Sequence, residues 1–239
     1  MAHSRRRPTT PRQRPSGWFR RAARRLLTWL IVVLVVLPLL ALAAYRFLPP
    51  PATPLMLIRL VEGEQLDYRF RRLDQISPHL ARSVIASEDN LFCEHWGFDL
   101  TALRTELERA WAGERPRGAS TITQQLAKNL FLWPGRDLPR KALEAWLAPQ
   151  VELLLGKERI LELYLNVAEL GPGIYGAEAA SQHWFNKPAA ELTAREAARL
   201  AVILPAPRSW PPTGDWAAER SAVIGQRKIQ LGPLLDCAP

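Results

Sequence analysis

Twelve residues from Glu88 to Asp99, Glu-Asp-Asn-Leu-Phe-Cys-Glu-His-Trp-Gly-Phe-Asp, concentrate carboxylates, an imidazole and three aromatic rings. A carboxylate among apolar rings is a candidate general base, because burial disfavours its charged form and lifts its pKa towards neutrality. Glu88 is the strongest candidate here. The stretch before it reads as a helix over residues 78–87, with Ser77 as cap and Pro78 in the first position. Glu88 then falls at the helix C-terminus, where the partial negative charge again disfavours an ionised carboxylate. A base tuned in this way suits the deprotonation of a sugar hydroxyl. The same acids would equally serve as a cap with salt bridges, since structural ion pairs also cluster acids.

A second stretch, Gly118 to Leu130, sets Ile122, Leu126 and Leu130 on one helical face. Thr121 and Gln125 share another face, and Gln124 and Lys128 a third. Ser120, Gln124, Gln125, Lys128 and Asn129 are candidates for contacting a sugar, although an ordinary solvated helix carries such residues too. A third group is Arg136, Arg140, Lys141 and Glu144. On a helix opened by Pro139, Glu144 lies one turn from both Arg140 and Lys141. Such a turn is either a surface ion pair of little energetic weight or a cationic clamp for phosphate, with a carboxylate able to hold a divalent cation. His95 reads as a structural hydrogen-bonder.

These groups need helices to position them, and from Ser77 onward the signals are helical. Asp99 caps a helix through Ala112, and Ser120 one through Leu130. Pro139 opens one that reaches Leu155, with Pro149 inside it as a kink or a break. Residues 157–170 form the next. Thr193-Ala194-Arg195-Glu196 is a capping box for a helix to Leu204, and a last helix covers residues 215–231. Residues 55–60 and 68–72 are expected to pair as a small hairpin around Gly63, with Tyr68 and Phe70 on one face.

The formal net charge of +9 belongs to one end of the chain. Residues 1–25 hold nine Arg and no acid, and the remainder is formally neutral. A nucleic-acid-binding domain would carry its basic patch on the folded part, so that class is disfavoured. The Arg-, Pro- and Ser/Thr-rich tail is expected to be disordered. Residues 26–45 carry no charge and are mostly apolar, the length of a membrane-spanning helix. The arginines before the span would keep the tail in the cytoplasm and place everything after it outside. The alternative is a cleaved signal peptide ending near Ala41-Leu42-Ala43, but apolar regions of signal peptides run only about 7–15 residues. Pro49-Pro50-Pro51 and Pro54 make a short stiff linker. Cys93 and Cys237 are too few for a disulfide framework, and one disulfide or two thiols both remain open. The four His show no zinc-site spacing.

Taken in order, these stretches resemble a family. Glu-Asp-x-x-Phe-x-x-His-x-Gly-Phe-Asp (Glu88 to Asp99), followed by Gly-x-Ser-Thr-Ile-Thr-Gln-Gln-Leu-x-Lys-Asn-Leu (Gly118 to Leu130), resembles the peptidoglycan glycosyltransferases of the bacterial cell wall, glycosyltransferase family 51. Arg140-Lys141-x-x-Glu144 is similar to the family's third motif. Lys157 to Asn166, with Gly171, Gly173, Gly176 and Phe185-Asn186-Lys187, is similar to the fourth, and Glu196 to Pro211 to the fifth. The resemblance covers about residues 74–211. No Ser-x-x-Lys occurs, so a penicillin-binding transpeptidase domain is not expected.

The resemblance implies a mainly α, lysozyme-like helical domain over residues 74–239. Before it come a basic cytoplasmic tail (1–25), one transmembrane helix (26–45) and a linker with the small β-hairpin (46–73). It implies polymerisation of lipid II into β-1,4-linked glycan with release of undecaprenyl diphosphate, at the bacterial inner membrane with the catalytic domain on the periplasmic side. Glu88 and Glu144 would be catalytic. Ser120, Gln124, Gln125, Lys128, Asn129, Arg136, Arg140 and Lys141 would bind substrate or pyrophosphate. Glu144 would hold a divalent cation, Mg2+ or Mn2+, through the pyrophosphate. Partners would be lipid II, the nascent strand and the membrane, with penicillin-binding transpeptidases and divisome proteins as protein partners. A glycan-cleaving hydrolase would share the fold, and a membrane-tethered scaffold without turnover is a further alternative. The hydrolase reading gives the Arg/Lys cluster no role.

Overall fold

The computed structural model describes residues 17–114, 118–135 and 137–238. Contacts divide the chain into two units, meeting between Pro38 and Leu39.

The first unit is helical. α1 (Gly17–Ile31) runs into a π-helical stretch, Val32–Val36, and then into α2 (Leu37–Tyr45). Helix is continuous over Trp18–Tyr45, long and apolar enough to cross a membrane. Two expectations shift here. The basic segment is helical from Gly17 on, rather than disordered up to residue 25, and the apolar span is the end of a longer helix. Long straight-chain arginines are good helix formers, so the apolar helix extends back through Arg20, Arg21, Arg24 and Arg25.

The second unit, from Leu39, contains α3 (Pro54–Val61), α4 (Pro78–Glu88), α5 (Leu100–Trp111), α6 (Ile122–Phe131), α7 (Leu138–Leu155), α8 (Lys157–Val167), α9 (Gly176–Phe185), α10 (Ala194–Ile203) and α11 (Asp215–Leu231). Its core is one cluster, with Leu80, Ile85, Phe92, Ile122, Leu126, Ile160 and Tyr164 wholly enclosed. α6 packs against α7 and α8, and α4 is flanked by α10 and α11.

The expected hairpin around Gly63 does not form. Residues 54–61 are α3, started by Pro54 behind the Thr53 cap, whose hydroxyl accepts from Met56 N at 3.3 Å. The strand β1 (Asp67–Tyr68) instead pairs in parallel with β3 (Ile174–Tyr175), and β3 pairs antiparallel with β2 (Glu169–Gly171), giving the order β1-β3-β2. A side chain at Gly173 would place its Cβ 2.0 Å from the Gln65 carbonyl oxygen, so only glycine admits this crossing. The helix expected over residues 157–170 accordingly stops at Val167, because β2 takes the next residues.

Two caps also differ. Ser77 precedes α4, but its hydroxyl donates to the Leu192 carbonyl rather than capping. Thr121, not Ser120, caps α6, accepting from Gln124 N at 3.2 Å. The Asp99 cap and the Thr193–Glu196 capping box form as expected. α7 continues as one helix through Pro149, which lies on its exposed face.

Arg159 fastens the start of the second unit. It donates to the Tyr45 carbonyl at 2.7 Å and the Leu48 carbonyl at 2.8 Å, pairs with Glu162, and lies over the Phe70 ring. Arg46 reaches the Leu154 carbonyl at 3.1 Å. Tyr68 donates to the Pro50 carbonyl at 2.8 Å, and burial pushes its phenol up to about 12. The proline-rich linker is therefore packed down, with Pro50 and Thr53 buried.

Candidate active site

Glu88 is the last residue of α4, as its place in the sequence requires. It lines a cavity of about 180 Å3 together with Asp89, Asn90, Asp99, Gly118, Ala119 and Ser120. Gln125 Nε2 donates to Glu88 Oε2 at 3.0 Å, and Ser87 Oγ to Oε1 at 3.3 Å. Burial raises the Glu88 pKa above the usual carboxylate range. The Gln125 and Ser87 bonds oppose that shift, the neighbouring charge of Asp89 adds to it, and the Lys128 ammonium opposes it.

Gln125 is itself oriented. Its Oε1 accepts the Tyr164 hydroxyl at 2.8 Å, and that phenol is deeply buried, with its pKa raised well above the ordinary value by burial. Tyr164 therefore remains a donor at any working pH. An ionised carboxylate only accepts, so the Gln125 NH2 faces Glu88 and the amide oxygen is left to the Tyr164 hydroxyl.

The turn after Glu88 is pinned from the other side. Asp89 Oδ2 accepts Ile122 N at 2.9 Å, at the start of α6, and Oδ1 bonds His95 Nε2 at 2.8 Å. Gly97 N donates to His95 Nδ1 at 3.2 Å, so Nε2 carries the proton given to Asp89. His95 is thus a structural hydrogen-bonder, as expected. Lys157 Nζ reaches the His95 carbonyl at 2.5 Å and Glu152 at 2.7 Å, and Glu152 also accepts from Thr123 at 2.6 Å. Thr121 donates to the Gly97 carbonyl at 2.7 Å. Gly97 has φ +83°, and a Cβ there would meet the Glu152 side chain at 3.3 Å.

The cationic cluster occupies the first turns of α7, capped by Asp137 through Arg140 N at 2.9 Å. Arg140 pairs with one Glu144 oxygen, and Lys141 Nζ takes the other at 2.8 Å. Lys141 also donates to Ser120 Oγ at 2.7 Å, which joins the cluster to the wall of the Glu88 cavity. Arg140 is buried, and its Nε has no hydrogen-bond partner among the described residues. A buried donor in that condition costs about 1–3 kcal/mol until an acceptor arrives. Burial lowers the Lys128 pKa, with the Glu144 charge opposing and the Arg140 and Lys141 charges reinforcing the shift. Lys128 therefore feels both Glu88 and the cluster.

The sequence candidates thus divide. Glu88 and Ser120 line one cleft; Gln125 bonds Glu88, Lys141 bonds Ser120 and Glu144, Arg140 pairs with Glu144, and Lys128 feels the charges of Glu88 and Glu144. Gln124 departs from its expected place: it is buried, and its Oε1 accepts Thr121 N at 3.2 Å, closing the capping box. An N3 glutamine behind a threonine cap is drawn back to the helix end. Asn129 is also buried. Arg136 lies outside the described residues. Asp89, Tyr164 and the Thr123–Glu152–Lys157 group were not picked out by side-chain type and spacing, because their partners are 29 or more residues away in sequence, apart from the Asp89–His95 and Lys157–Glu152 pairs. Leu130 and Leu132 are core, whereas Trp133 is exposed.

Residues 56–229 match the family model described as transglycosylase. The chain belongs to the transglycosylase family. It is 51% identical over 222 residues to the biosynthetic peptidoglycan transglycosylase of Caulobacter vibrioides, covering 91% of this chain and 97% of that one. It is 48% identical over 221 residues to the protein of the same name from Ectopseudomonas mendocina, covering 89% and 91%. With that from Shewanella frigidimarina it shares 52% identity over 193 residues, covering 78% and 82%. The matched residues take in α4, α6, α7 and α8.

Proposed function

We propose that Glu88 is the general base of glycan-strand elongation, and that Arg140 and Lys141 receive the diphosphate that departs. The broader activity rests on family membership and on relatives named for it: the chain is a glycosyltransferase that polymerises glycan for cell-wall synthesis, with lipid II and the growing strand as substrates. The observation that supports the residue assignment is the cleft itself. A carboxyl with a raised pKa lines it, and Ser120 in its wall is bonded to Lys141, which shares Glu144 with the buried Arg140.

The step runs as follows. The 4-hydroxyl oxygen of the incoming lipid II attacks the anomeric carbon of the growing strand. Its proton passes to Glu88. The bond from the anomeric carbon to the diphosphate oxygen breaks, and undecaprenyl diphosphate leaves with both electrons. Inversion of an α-linked donor gives a β-1,4 linkage. Gln125 holds the carboxylate on its proton-accepting edge. Arg140, Lys141 and Lys128 stabilise the charge that grows on the leaving group. Ser120, bonded to Lys141, fixes the direction of that ammonium.

A resident metal does not fit these residues. Both Glu144 oxygens are held by cations, and the described residues contain no group of three His, Cys, Asp or Glu placed to hold a metal ion. The Mg2+ or Mn2+ expected from the resemblance is proposed to travel with the diphosphate rather than to reside on the protein.

The anchor is proposed to lie in the inner membrane with the domain on the periplasmic side. The Arg-rich segment before the span supports that orientation. So does the Cys93–Cys237 disulfide, a bond that persists in oxidising compartments. The exposed face of α7, Leu138, Ala142, Trp146, Pro149 and Leu153, carries no charge, as a surface beside lipid requires. Penicillin-binding transpeptidases and divisome proteins are proposed as partners that would cross-link and place the strand.

The test is polymerisation of lipid II by the full chain in detergent. Glu88→Gln is expected to lower kcat by about 10²–10⁴-fold with the fold intact. Polymerisation unchanged in that variant overturns the assignment, and cleavage of finished glycan with no polymer from lipid II favours a hydrolase.

A further inference from the structure

The Cys93–Cys237 disulfide joins residues 144 apart with Cα atoms 5.6 Å from one another. Cys93 lies five residues beyond Glu88, in a turn closed by Phe92 N to the Asp89 carbonyl and Glu94 N to the Leu91 carbonyl. Cys237 follows the short 3-10 helix Gly232–Leu235, which is seated by the buried Leu235 and Ala238. The C-terminal segment also grips α4 directly: Arg227 Nη1 donates to the Ala86 carbonyl at 3.1 Å, in the last turn before Glu88.

The turn has little else on that side. Asn90 and Glu94 are exposed, Leu91 is half-covered, and Phe92 is its one fully buried apolar side chain. On the opposite side Asp89 and His95 tie it to α6 and α8. The turn is therefore held between two anchorages, one of hydrogen bonds and one covalent. Without the covalent one it can pivot about Phe92, and the Asp89–His95 pair moves with it.

We propose that the Cys93–Cys237 disulfide is a positioning element of the active site, holding the turn that aims Glu88, so that the oxidised chain turns over fast and the reduced chain does not. The inference rests on the reading of Glu88 as the base. The bond forms by exchange: two thiols of this chain and the disulfide of a thiol–disulfide oxidoreductase give the Cys93–Cys237 bond and two thiols on the oxidoreductase. A dithiol reductant reverses it. The source of the oxidising disulfide must lie where the folded domain lies, outside the cytoplasm.

The experiment compares the full-length protein before and after dithiothreitol, with a Cys93→Ala/Cys237→Ala double variant alongside. Circular dichroism fixes an assay temperature at which the reduced protein is folded. The expected result is a fall in kcat of about tenfold or more, since small misplacements of reacting groups cost factors of that order. KM for lipid II stays near the oxidised value, the acid limb of the pH profile moves, and reoxidation with oxidised glutathione restores kcat and the pH profile. An unchanged kcat and pH profile in folded, reduced protein overturns the inference and leaves the bond a stabilising staple. Reduction that unfolds the domain at every temperature overturns it also, because the bond then holds the fold and not the base. Glu88→Gln separates the two readings. If that variant is inactive while reduction has no effect, only the disulfide inference falls; if it is active, the assignment of Glu88 falls first.

Discussion

Gln125 donates to Glu88 through one end of its amide and accepts the Tyr164 hydroxyl at the other, an orientation set by a carboxylate that only accepts. This chain fixes which oxygen of the carboxylate faces α6. It also sets a sign. The Gln125 bond stabilises the charged carboxylate and so lowers a pKa that burial has raised. Gln125→Leu removes that stabilisation, and the Glu88 pKa should rise further. Because the base works only when deprotonated, the acid limb of kcat/KM should move to higher pH. A limb that stays in place, or moves down, would contradict the assignment.

Lys141 carries two bonds, to Ser120 and to Glu144. Lys141→Met should lower kcat by about 10²–10³-fold, in the range for losing one donor to a developing anion. It should do so without loss of fold, since the ammonium is half-exposed. Measured kcat and thermal unfolding decide this together.

Asp89 accepts from Ile122 N and from His95. Asp89→Ala leaves both donors buried without their acceptor, at about 1–3 kcal/mol each. For a domain of this size each kcal/mol corresponds to about 2–4 °C in Tm. A drop of less than one degree would mean that the turn is held without the pair.

Gly97→Ala is expected to destabilise by more than about 1 kcal/mol. The residue sits at φ +83° with Glu152 in the way of a Cβ. The accompanying shift of Glu152 should disturb Lys157 and the His95 carbonyl it holds, so activity is expected to fall with stability.

If the divalent cation arrives with the diphosphate, EDTA should slow polymerisation, while millimolar Mg2+ should leave the Tm of the substrate-free protein unchanged. A Tm that rises with Mg2+ would reveal a protein-held site and overturn that proposal.

Local features were legible in the sequence and distant pairings were not. Glu88 at a helix end, the Asp99 cap, the Thr193–Glu196 box and the Arg140–Glu144 turn each depend on residues within four positions of one another, which local rules reach. The hairpin around Gly63 failed because nothing local says that Asp67 and Tyr68 pair with Ile174 and Tyr175. Gln124 looked like a sugar ligand because an amide has the same appearance whether it faces a cleft or closes its own helix end. The disulfide stayed open for the same reason as the hairpin: 144 residues separate its ends.

Arg159 turns residues 45 to 48 from a leash into a strut, since it holds the Tyr45 and Leu48 carbonyls against α8. Lengthening the chain between residues 46 and 53 should loosen that strut while every cleft residue stays where it is.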